Sequence, residues 1–288
     1  MAIESLRALE EASENKDIFE VVLDSDCTDR GVSKEASLEK MRALYAAIRR
    51  AREGYDPALR SASGMVGGDG AKMREYVQKR KTICGDYIGQ VIAQALEMGE
   101  SNACMKCIVA APTAGSCGVL PAVLLPYQAR EGLDDDAMVR ALYIAGAIGQ
   151  VVAAKASIAG AAGGCQAEIG TASAMGAAAL CYLGGGSAQA VCHAAAIAIK
   201  SMLGLVCDPI AGLVEVPCVK RNAAGAMIAM SSADMALAGI RSAVPPDEVI
   251  LAMREVGDKM DVSLKETGVG GVAGTPFGQK IAEKMGVL

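Results

Sequence analysis

The chain has 288 residues and a formal net charge of −5, with 28 lysines and arginines against 33 acidic residues. This acidic balance without a Lys/Arg run disfavours nucleic-acid binding, and the charged N-terminus lacks the apolar core of a signal peptide, so we expect a cytoplasmic location. Hydrophobic residues reach 52% but aromatic residues only 3%, with 33 glycines, so the composition predicts closely packed helices with little strand.

Apolar periodicity predicts amphipathic helices in both halves of the chain. Before the first of them, the segment 17–24, DIFEVVLD, is the best strand candidate because it is rich in β-branched and aromatic residues. Residues 33–53 repeat apolar side chains every three or four positions and begin with Ser33, a suitable helix N-cap. Acidic residues open the apolar run 134–155, and prolines with acidic residues open 245–260, as is typical of helix N-termini.

A stretch without Asp, Glu, Lys or Arg runs from residue 169 to residue 199. A membrane span needs roughly 20 apolar residues, but this stretch consists largely of Ala, Gly, Ser and Gln, and LGGGS at 183–187 interrupts it. We therefore expect no membrane span but two buried helices, at about 171–183 and 187–203. The glycine-rich segment 267–280 predicts irregular backbone.

Four glycine-rich turns lie between the predicted helices: SGMVGGDG, APTAGSCG, AGAAGGCQAE and LGGGSAQA, at 63–70, 111–118, 159–168 and 183–190. Each of them predicts either helix caps and close packing, or backbone N–H groups that face an anion. The second turn also carries the hydroxyls of Thr113 and Ser116, which suit a small carboxylate. None of the turns matches a dinucleotide-binding or P-loop pattern.

Ten cysteines in a chain of this length, without a signal peptide, indicate packing, metal binding or catalysis rather than disulfides. Cys104 and Cys107 form a CMKC motif, which is a weak signal outside a βαβ setting. Three cysteines are expected to pack within helices: Cys84, Cys181 and Cys192. Three more lie at turns or helix ends, in GGCQAE, VCDP and VPCVKRN: Cys165, Cys207 and Cys218.

The cysteines at turns are the best candidates for a metal site. Thiolates on separate loops converge on a metal more easily than thiols spread around one helix. Three of them would hold a [4Fe–4S] cluster with one iron open, and an open iron is a Lewis acid able to bind a hydroxyl leaving group. Because three cysteines can be chosen from ten in many ways, spacing alone leaves other sets open.

Few titratable side chains occur near these cysteines in the sequence. Lys155 and Glu168 are the only charges between Arg140 and Lys200, so they either pair with each other or act as acid–base residues. His193, the only histidine, lies in an apolar run and suits a buried, hydrogen-bonded role at least as well as catalysis. With a single histidine, the sequence gives little support for a Ser-His-Asp mechanism or a His-rich metal site.

Five segments together resemble the α subunit of the iron–sulfur-dependent L-serine dehydratases, also called L-serine ammonia-lyases. They include the motifs SASGMVGGDG, APTAGSCG, GGCQAE, CDP with VPCVKRN, and KETGVGGVAGTPFGQK, and they span 61–70, 101–125, 155–179, 202–223 and 265–284. The resemblance covers nearly the whole chain. It implies an all-α fold, with one compact multi-helix catalytic domain over residues 1–288 around a buried iron–sulfur site.

The resemblance also implies the site residues. The [4Fe–4S] ligands would be Cys165, Cys207 and Cys218. Substrate binding is assigned to residues of the SNACMKC and APTAGSCG stretches: Ser101, Asn102, Thr113, Gly115 and Ser116. Lys155 and Glu168 are the acid–base candidates, and no residue is singled out as the general base. Some single-chain relatives end in a cysteine that caps the open iron; no cysteine follows Cys218 here, so no such cap is expected.

The reaction that the resemblance implies is a β-elimination that converts L-serine to pyruvate and ammonia, with the open iron as Lewis acid on the serine hydroxyl and without pyridoxal phosphate. The α+β domain of single-chain relatives does not occur in these 288 residues, so we expect a separate β subunit and a hetero-oligomer. Three alternatives remain. They are a pyridoxal-phosphate dehydratase, which the missing βαβ pattern disfavours, an iron–sulfur cysteine desulfidase, and a cluster-carrying scaffold without its own activity.

Overall fold

Helices make up the regular structure of residues 3–287, the part of the chain that the structure, a computed structural model, describes. No β-strand occurs in this range, which confirms the expected all-α fold. The α-helices in this range are α1 (Leu6–Ala12), α2 (Ile18–Arg30), α3 (Lys34–Glu53), α4 (Asp69–Lys79), α5 (Asp86–Ala103), α6 (Val119–Glu131), α7 (Asp135–Lys155), α8 (Gly160–Gly163), α9 (Thr171–Leu183), α10 (Ala188–Met202), α11 (Cys218–Leu237), α12 (Pro246–Lys259) and α13 (Pro276–Lys284).

The helices predicted from periodicity and caps are confirmed as α3, α7, α9, α10 and α12. In α3 and α7 the first turn is capped by the residue at which the predicted segment begins. The Ser33 hydroxyl accepts a hydrogen bond from the backbone N–H of Ala36 at 3.2 Å, and the Asp134 carboxylate accepts one from Ala137 at 2.8 Å. Such caps satisfy N–H groups that have no partner within the helix, which explains why the predicted starts agree with the observed ones.

The strand predicted at 17–24 is wrong, because these residues begin α2. Asp17 caps the helix by accepting a hydrogen bond from the Phe19 N–H at 2.8 Å. Four of the five apolar residues of the segment also fall on one helical face and are at most 5% exposed: Ile18, Phe19, Val22 and Leu23. Phe19 packs edge-on against Tyr143 of α7, with ring centroids 5.6 Å apart. This packing outweighs the weak preference of β-branched and aromatic residues for strands.

One helix of the described residues, α7, is long and apolar enough to cross a membrane. However, 67% of its most apolar window is buried inside the protein, where it packs against α2, α3 and α9. The central helix of a compact fold passes the same length and composition test, so α7 is accounted for by its packing. The uncharged stretch 169–199 folds as two buried helices, α9 and α10, as predicted.

Small side chains allow the helices around α9 to approach closely. Helix α9 packs against α7, α10 and α11, and most of its residues are completely buried. A β-carbon added at Gly176 of α9 would lie only 3.2 Å from the β-carbon of Ala229. At the next contact along α11, a β-carbon added at Gly225 would lie 2.8 Å from Ile169 Cγ2. The high glycine and alanine content is therefore a packing requirement of this core.

The glycine-rich C-terminal segment is irregular up to residue 275, as predicted, but the prediction is wrong for 276–280, where α13 begins. Pro276 occupies the first helical position and the Thr275 hydroxyl accepts a hydrogen bond from the Gly278 N–H at 3.2 Å. Proline suits this position because its missing N–H would have no partner there.

We expect Gly225→Ala to lower the free energy of unfolding by about 1–3 kcal/mol, because an added methyl group overfills a core that cannot expand without strain. Gly146→Ala is the matched control, since its β-carbon would meet nothing within 4 Å and its helical backbone suits alanine. The control should raise stability by about 0.4–1 kcal/mol. Urea unfolding followed by circular dichroism tests both variants, and equal stabilities would contradict this account of the core.

Candidate metal centre

Three separate pieces of chain bring the predicted cysteine ligands into the interior. Cys165 lies between α8 and the one-turn π-helix 166–170 that leads into α9, Cys207 lies in the irregular link between α10 and α11, and Cys218 is the first residue of α11. Cys165 and Cys207 are each 2% exposed, and Cys218 is 6% exposed. All three are free thiols, so no disulfide competes with metal binding.

Cys165, Cys207 and Glu168 form a compact group of potential metal ligands. The sulfur atoms and one carboxylate oxygen of these residues all lie within 4.8 Å of one another, and the Cys207 Sγ to Glu168 Oε2 distance is 3.9 Å. Cys218 is outside this tight group but close enough to interact with it. Burial raises the pKa of the Cys218 thiol to about 12, and the negative charges of Cys165 and Glu168 contribute to the shift.

The Cys165 and Cys207 thiols shift each other's pKa in opposite directions. The hydrogen bond that Cys207 donates lowers the pKa of Cys165, against the opposing effect of burial, and the positive charge of Arg221 adds to the lowering. The same hydrogen bond raises the pKa of Cys207, and burial raises it further. Because metals bind thiolates, the lowered pKa of Cys165 suits a metal ligand, whereas Cys207, whose pKa is raised, would lose its proton only when a metal binds.

Glu168 is held beside the sulfur atoms by the π-helix. Gln166, the first residue of the π-helix, holds this helix in place through its side-chain amide. Its Nε2 donates to the Met253 carbonyl and its Oε1 accepts from the Gly204 N–H, both at 2.9 Å. Burial raises the pKa of Glu168, a hydrogen bond from the Thr113 side chain partly offsets this, and the charge of Glu266 raises it further. A largely enclosed carboxyl group with a raised pKa is a candidate for general acid–base chemistry.

The predicted substrate-binding turn lies against the same carboxylate. A β-carbon at Gly115 would be 3.6 and 3.7 Å from the two carboxylate oxygens of Glu168. Ser116 and Thr113 hydrogen-bond each other within the turn, with their hydroxyl oxygens 3.2 Å apart. Asn222 of α11 holds the turn, because its Nδ2 donates to the Gly115 carbonyl at 2.8 Å. The turn, the π-helix and α11 therefore meet at one place.

The other two predicted substrate-binding residues lie at the end of α5. Ser101 is 2% exposed, and its hydroxyl donates to the Glu97 carbonyl one turn earlier at 2.8 Å. The Asn102 carbonyl accepts a hydrogen bond from Met105 in the following turn. The hydrogen bonds found at these two positions serve the C-terminus of α5.

Lys155 is placed at a different junction. Its Nζ lies 3.6 Å from Asp247 Oδ1, so the proposed pair between Lys155 and Glu168 does not form. Asp247 also accepts hydrogen bonds from the Leu6 and Arg7 N–H groups at the start of α1. Lys155 thus belongs to the contact between α1, α7 and α12, whereas Glu168 lies beside the thiols.

Sequence reasoning missed a buried ion pair beside the cysteines. Arg221, one turn after Cys218 on α11, pairs with Asp208, with Nη1 lying 2.9 Å from Asp208 Oδ1, and donates a hydrogen bond from Nη1 to the Val206 carbonyl at 2.8 Å. Asp208 directly follows Cys207 and is 3% exposed. The signal was present in the motifs CDP and VPCVKRN, each of which places a charge in an otherwise apolar run.

The C-terminal segment 264–272 covers Cys207 and Asp208. The Cys207 N–H donates to the Leu264 carbonyl at 2.8 Å and the Cys207 carbonyl accepts from the Glu266 N–H at 2.6 Å. The Val272 N–H donates to Asp208 Oδ2 at 2.8 Å. Glu266 has a φ of +63°, a conformation that a non-glycine residue adopts only when its surroundings hold it. The glycine-rich tail is thus part of the site's wall.

The remaining sequence candidates lie outside this group. Cys181 and Cys192 are buried in helices as predicted, but the prediction for Cys84 is wrong, because Cys84 is exposed in the turn before α5. Cys107 of the CMKC motif is exposed as well. The Nδ1 atom of His193 accepts a hydrogen bond from the Ser242 N–H at 3.2 Å, which agrees with a hydrogen-bonded role.

We expect Asp208→Asn to lower the free energy of unfolding by about 3 kcal/mol, because it leaves the largely buried Arg221 guanidinium without its counter-charge. Asp136→Asn is the matched control: it breaks the exposed pair with Arg42, whose side chains are 60% and 55% exposed, and should cost less than about 1 kcal/mol. Urea unfolding measures both changes. A loss at Asp208 no larger than the control's would contradict a structural role for the pair.

Protonation of His193 should destabilise the protein. Burial lowers the pKa of His193 below its usual value, and the charges of Arg241 and Lys200 lower it further. The unfolded chain therefore takes up this proton first, and stability falls as the pH drops below about 6.5. The only imidazole signals in a proton NMR titration should show a midpoint below that pH, and His193→Gln should remove this part of the pH dependence. A midpoint above 6.5 would contradict the prediction.

Comparison with known proteins identifies the family of the chain. The family model described as "Serine dehydratase alpha chain" matches residues 13–273, a range that contains all three turn cysteines and Glu168. The chain belongs to the serine dehydratase alpha chain family.

Three relatives illustrate the match. The chain is 49% identical over 242 residues to "Probable L-serine dehydratase, alpha chain" of Bacillus subtilis, covering 84% of this chain and 79% of the relative. It is 43% identical over 265 residues to "L-serine dehydratase, alpha chain" of Peptoniphilus asaccharolyticus, covering 92% and 91%. It is 45% identical over 183 residues to "L-serine dehydratase TdcG" of Escherichia coli, covering 62% of this chain and 40% of that protein.

Proposed function

We propose that the chain is the catalytic α subunit of an L-serine dehydratase, a lyase that converts L-serine to pyruvate and ammonia with a [4Fe–4S] cluster held by Cys165, Cys207 and Cys218. The observation that carries the proposal is the buried group of two cysteines and a glutamate within 4.8 Å of one another, inside a family-matched chain. The names of the alpha-chain relatives support L-serine as substrate.

The donor set fits an iron–sulfur cluster. Thiolates are the usual ligands of such clusters, and the site offers three buried cysteines from different segments of chain. Arg221 contributes a positive charge next to Cys165, which offsets the negative charge that three thiolates would bring into the interior. When bound, the cluster would supply a Lewis-acidic iron that assists departure of the serine hydroxyl group.

Glu168 is the better of the two acid–base candidates. It lies beside Cys207 and the 113–116 turn, whereas Lys155 is engaged with Asp247. In the proposed reaction, a base removes the proton on the α-carbon of serine while the β-hydroxyl leaves as water. The resulting aminoacrylate tautomerises to an imine, and water hydrolyses the imine to pyruvate and ammonia. Glu168 Oε2 would hold or transfer a proton in the elimination step.

The substrate carboxylate is proposed to bind at the 113–116 turn, where Thr113, Gly115 and Ser116 border Glu168. Ser101 and Asn102, at the end of α5, complete the proposed substrate-binding set, with Ser101 acting through the backbone of that helix. Residues 1–288 are proposed to act as one domain in a hetero-oligomer with a separate β subunit, in the cytoplasm and without pyridoxal phosphate. The alpha-chain names of the relatives support the partner subunit.

Spectroscopy of protein purified without oxygen tests the cofactor. We expect iron and sulfide in the protein and a broad absorbance band near ~400 nm that bleaches in air, as is typical of [4Fe–4S] centres. Cys165→Ser, Cys207→Ser and Cys218→Ser should each abolish iron retention. Cys181→Ser, which changes a buried cysteine packed within α9, is the matched control and should keep the iron.

Turnover assays test the substrate. With a β subunit supplied, L-serine should be converted to pyruvate, and the three ligand variants should be inactive. Faster turnover of L-cysteine than of L-serine would favour a desulfidase instead. A stable absorbance band that is lost only on borohydride reduction, in a protein without iron, would indicate pyridoxal phosphate and refute the proposal.

A further inference from the structure

A glycine forms the wall of the candidate metal centre at the point where Cys207 and Glu168 meet. A β-carbon at Gly160, the first residue of α8, would lie 2.8 Å from Cys207 Sγ and 2.8 Å from Glu168 Oε2. Both distances are shorter than van der Waals contact, so even an alanine would displace one of these side chains. Gly115 approaches Glu168 from another side, but there a β-carbon would make ordinary contacts of 3.6 and 3.7 Å.

The backbone at Gly160 does not explain the glycine. Its φ lies outside the positive region that favours glycine, in contrast to Gly164 at the end of the same helix, where φ is +75°. Two alanines, Ala161 and Ala162, follow in α8, and alanine is a better helix former than glycine. Glycine at position 160 thus carries a local cost without a local conformational reason. The remaining reason is the space beside Cys207 and Glu168.

The two side chains that a β-carbon would meet are also members of the candidate ligand group. We propose that Gly160 is a positioning residue for the cluster: its missing side chain keeps Cys207 and Glu168 in the arrangement in which the [4Fe–4S] group binds. This inference rests on the proposed function. By this inference, α8 controls whether the cluster can bind, although the helix contributes no ligand itself.

The same short helix provides a matched control. A β-carbon at Gly163 would lie 3.0 Å from Ala167 Cβ and 3.8 Å from Ser157 Cβ, and neither atom belongs to the ligand group. Gly163→Ala therefore disturbs the packing of α8 to a similar degree as Gly160→Ala, without pressing on Cys207 or Glu168. A comparison of the two variants therefore distinguishes an effect of the space beside Cys207 and Glu168 from an effect of helix packing.

The experiment loads the wild-type protein and both variants with ferrous iron and sulfide without oxygen. Bound iron and sulfide per chain and the absorbance band near ~400 nm report cluster binding. Circular dichroism and thermal melting of the unloaded proteins report the fold. We expect Gly160→Ala to keep a wild-type circular dichroism spectrum but to lose most of the bound iron and of the band. Gly163→Ala should bind iron to nearly the wild-type level.

Three results would overturn the inference: wild-type iron content in Gly160→Ala, equal iron loss in both variants, or an unfolded Gly160→Ala protein. The second result would assign the effect to α8 packing, and the third would mean that the glycine serves the fold of the unloaded chain. Failure of the proposed function is distinguishable, because the wild-type protein itself would then bind no cluster.

Discussion

The buried ion pair between Asp208 and Arg221 connects the pieces of chain that form the candidate metal centre. Asp208 directly follows Cys207, and Arg221 lies one turn after Cys218 on α11. The second oxygen of Asp208 accepts a hydrogen bond from Val272 in the C-terminal segment. Because either charge alone would be strongly unfavourable in the interior, the loop, the helix and the tail have to come together as a unit. The positive charge of the same guanidinium contributes to the lowered pKa of Cys165, so one charge acts on both the fold and the proposed ligand set.

The interior around this pair consists largely of small side chains, so it is filled only because the helices approach one another closely. Most residues of α9 are alanine, glycine or other small residues, and neighbouring helices approach to contact distance at Gly176 of α9 and Gly225 of α11. A core of this kind excludes water and holds few charges, so each remaining charge acts strongly on its neighbours. The raised pKa values of Glu168 and Cys218 follow from this setting, since burial is the first cause of both shifts. Close packing and unusual acid–base behaviour therefore have the same origin.

Local patterns predicted most of the long helices correctly, because an apolar stripe and a capping side chain lie within a few residues of each other. The segment 17–24 was misassigned, since its β-branched residues favour a strand locally and only contact with α7 makes a helix better. The turn cysteines could be selected from ten because each lies at a turn or a helix end, whereas the motifs CDP and VPCVKRN showed two charges in apolar runs without showing that these charges pair. Lys155 is a second example of a partner that the sequence did not identify. The sequence suggested Glu168 as the partner of its charge, whereas Lys155 pairs with Asp247 in the fold.

The sequence by itself determined the all-helical class, the starts of several helices and, through its motifs, the resemblance to the serine dehydratase alpha chain family. These properties depend on periodicity, capping and short motifs, all of which are local. Tertiary structure alone decided which side chains meet: Glu168 beside Cys207, the tail over Asp208, and Gly160 against both Cys207 and Glu168. Most of those contacts join residues that are tens of positions apart, and their geometry depends on how closely the helices pack. A missing β-carbon can be read from the sequence, but the space that it leaves open is visible only in the folded protein.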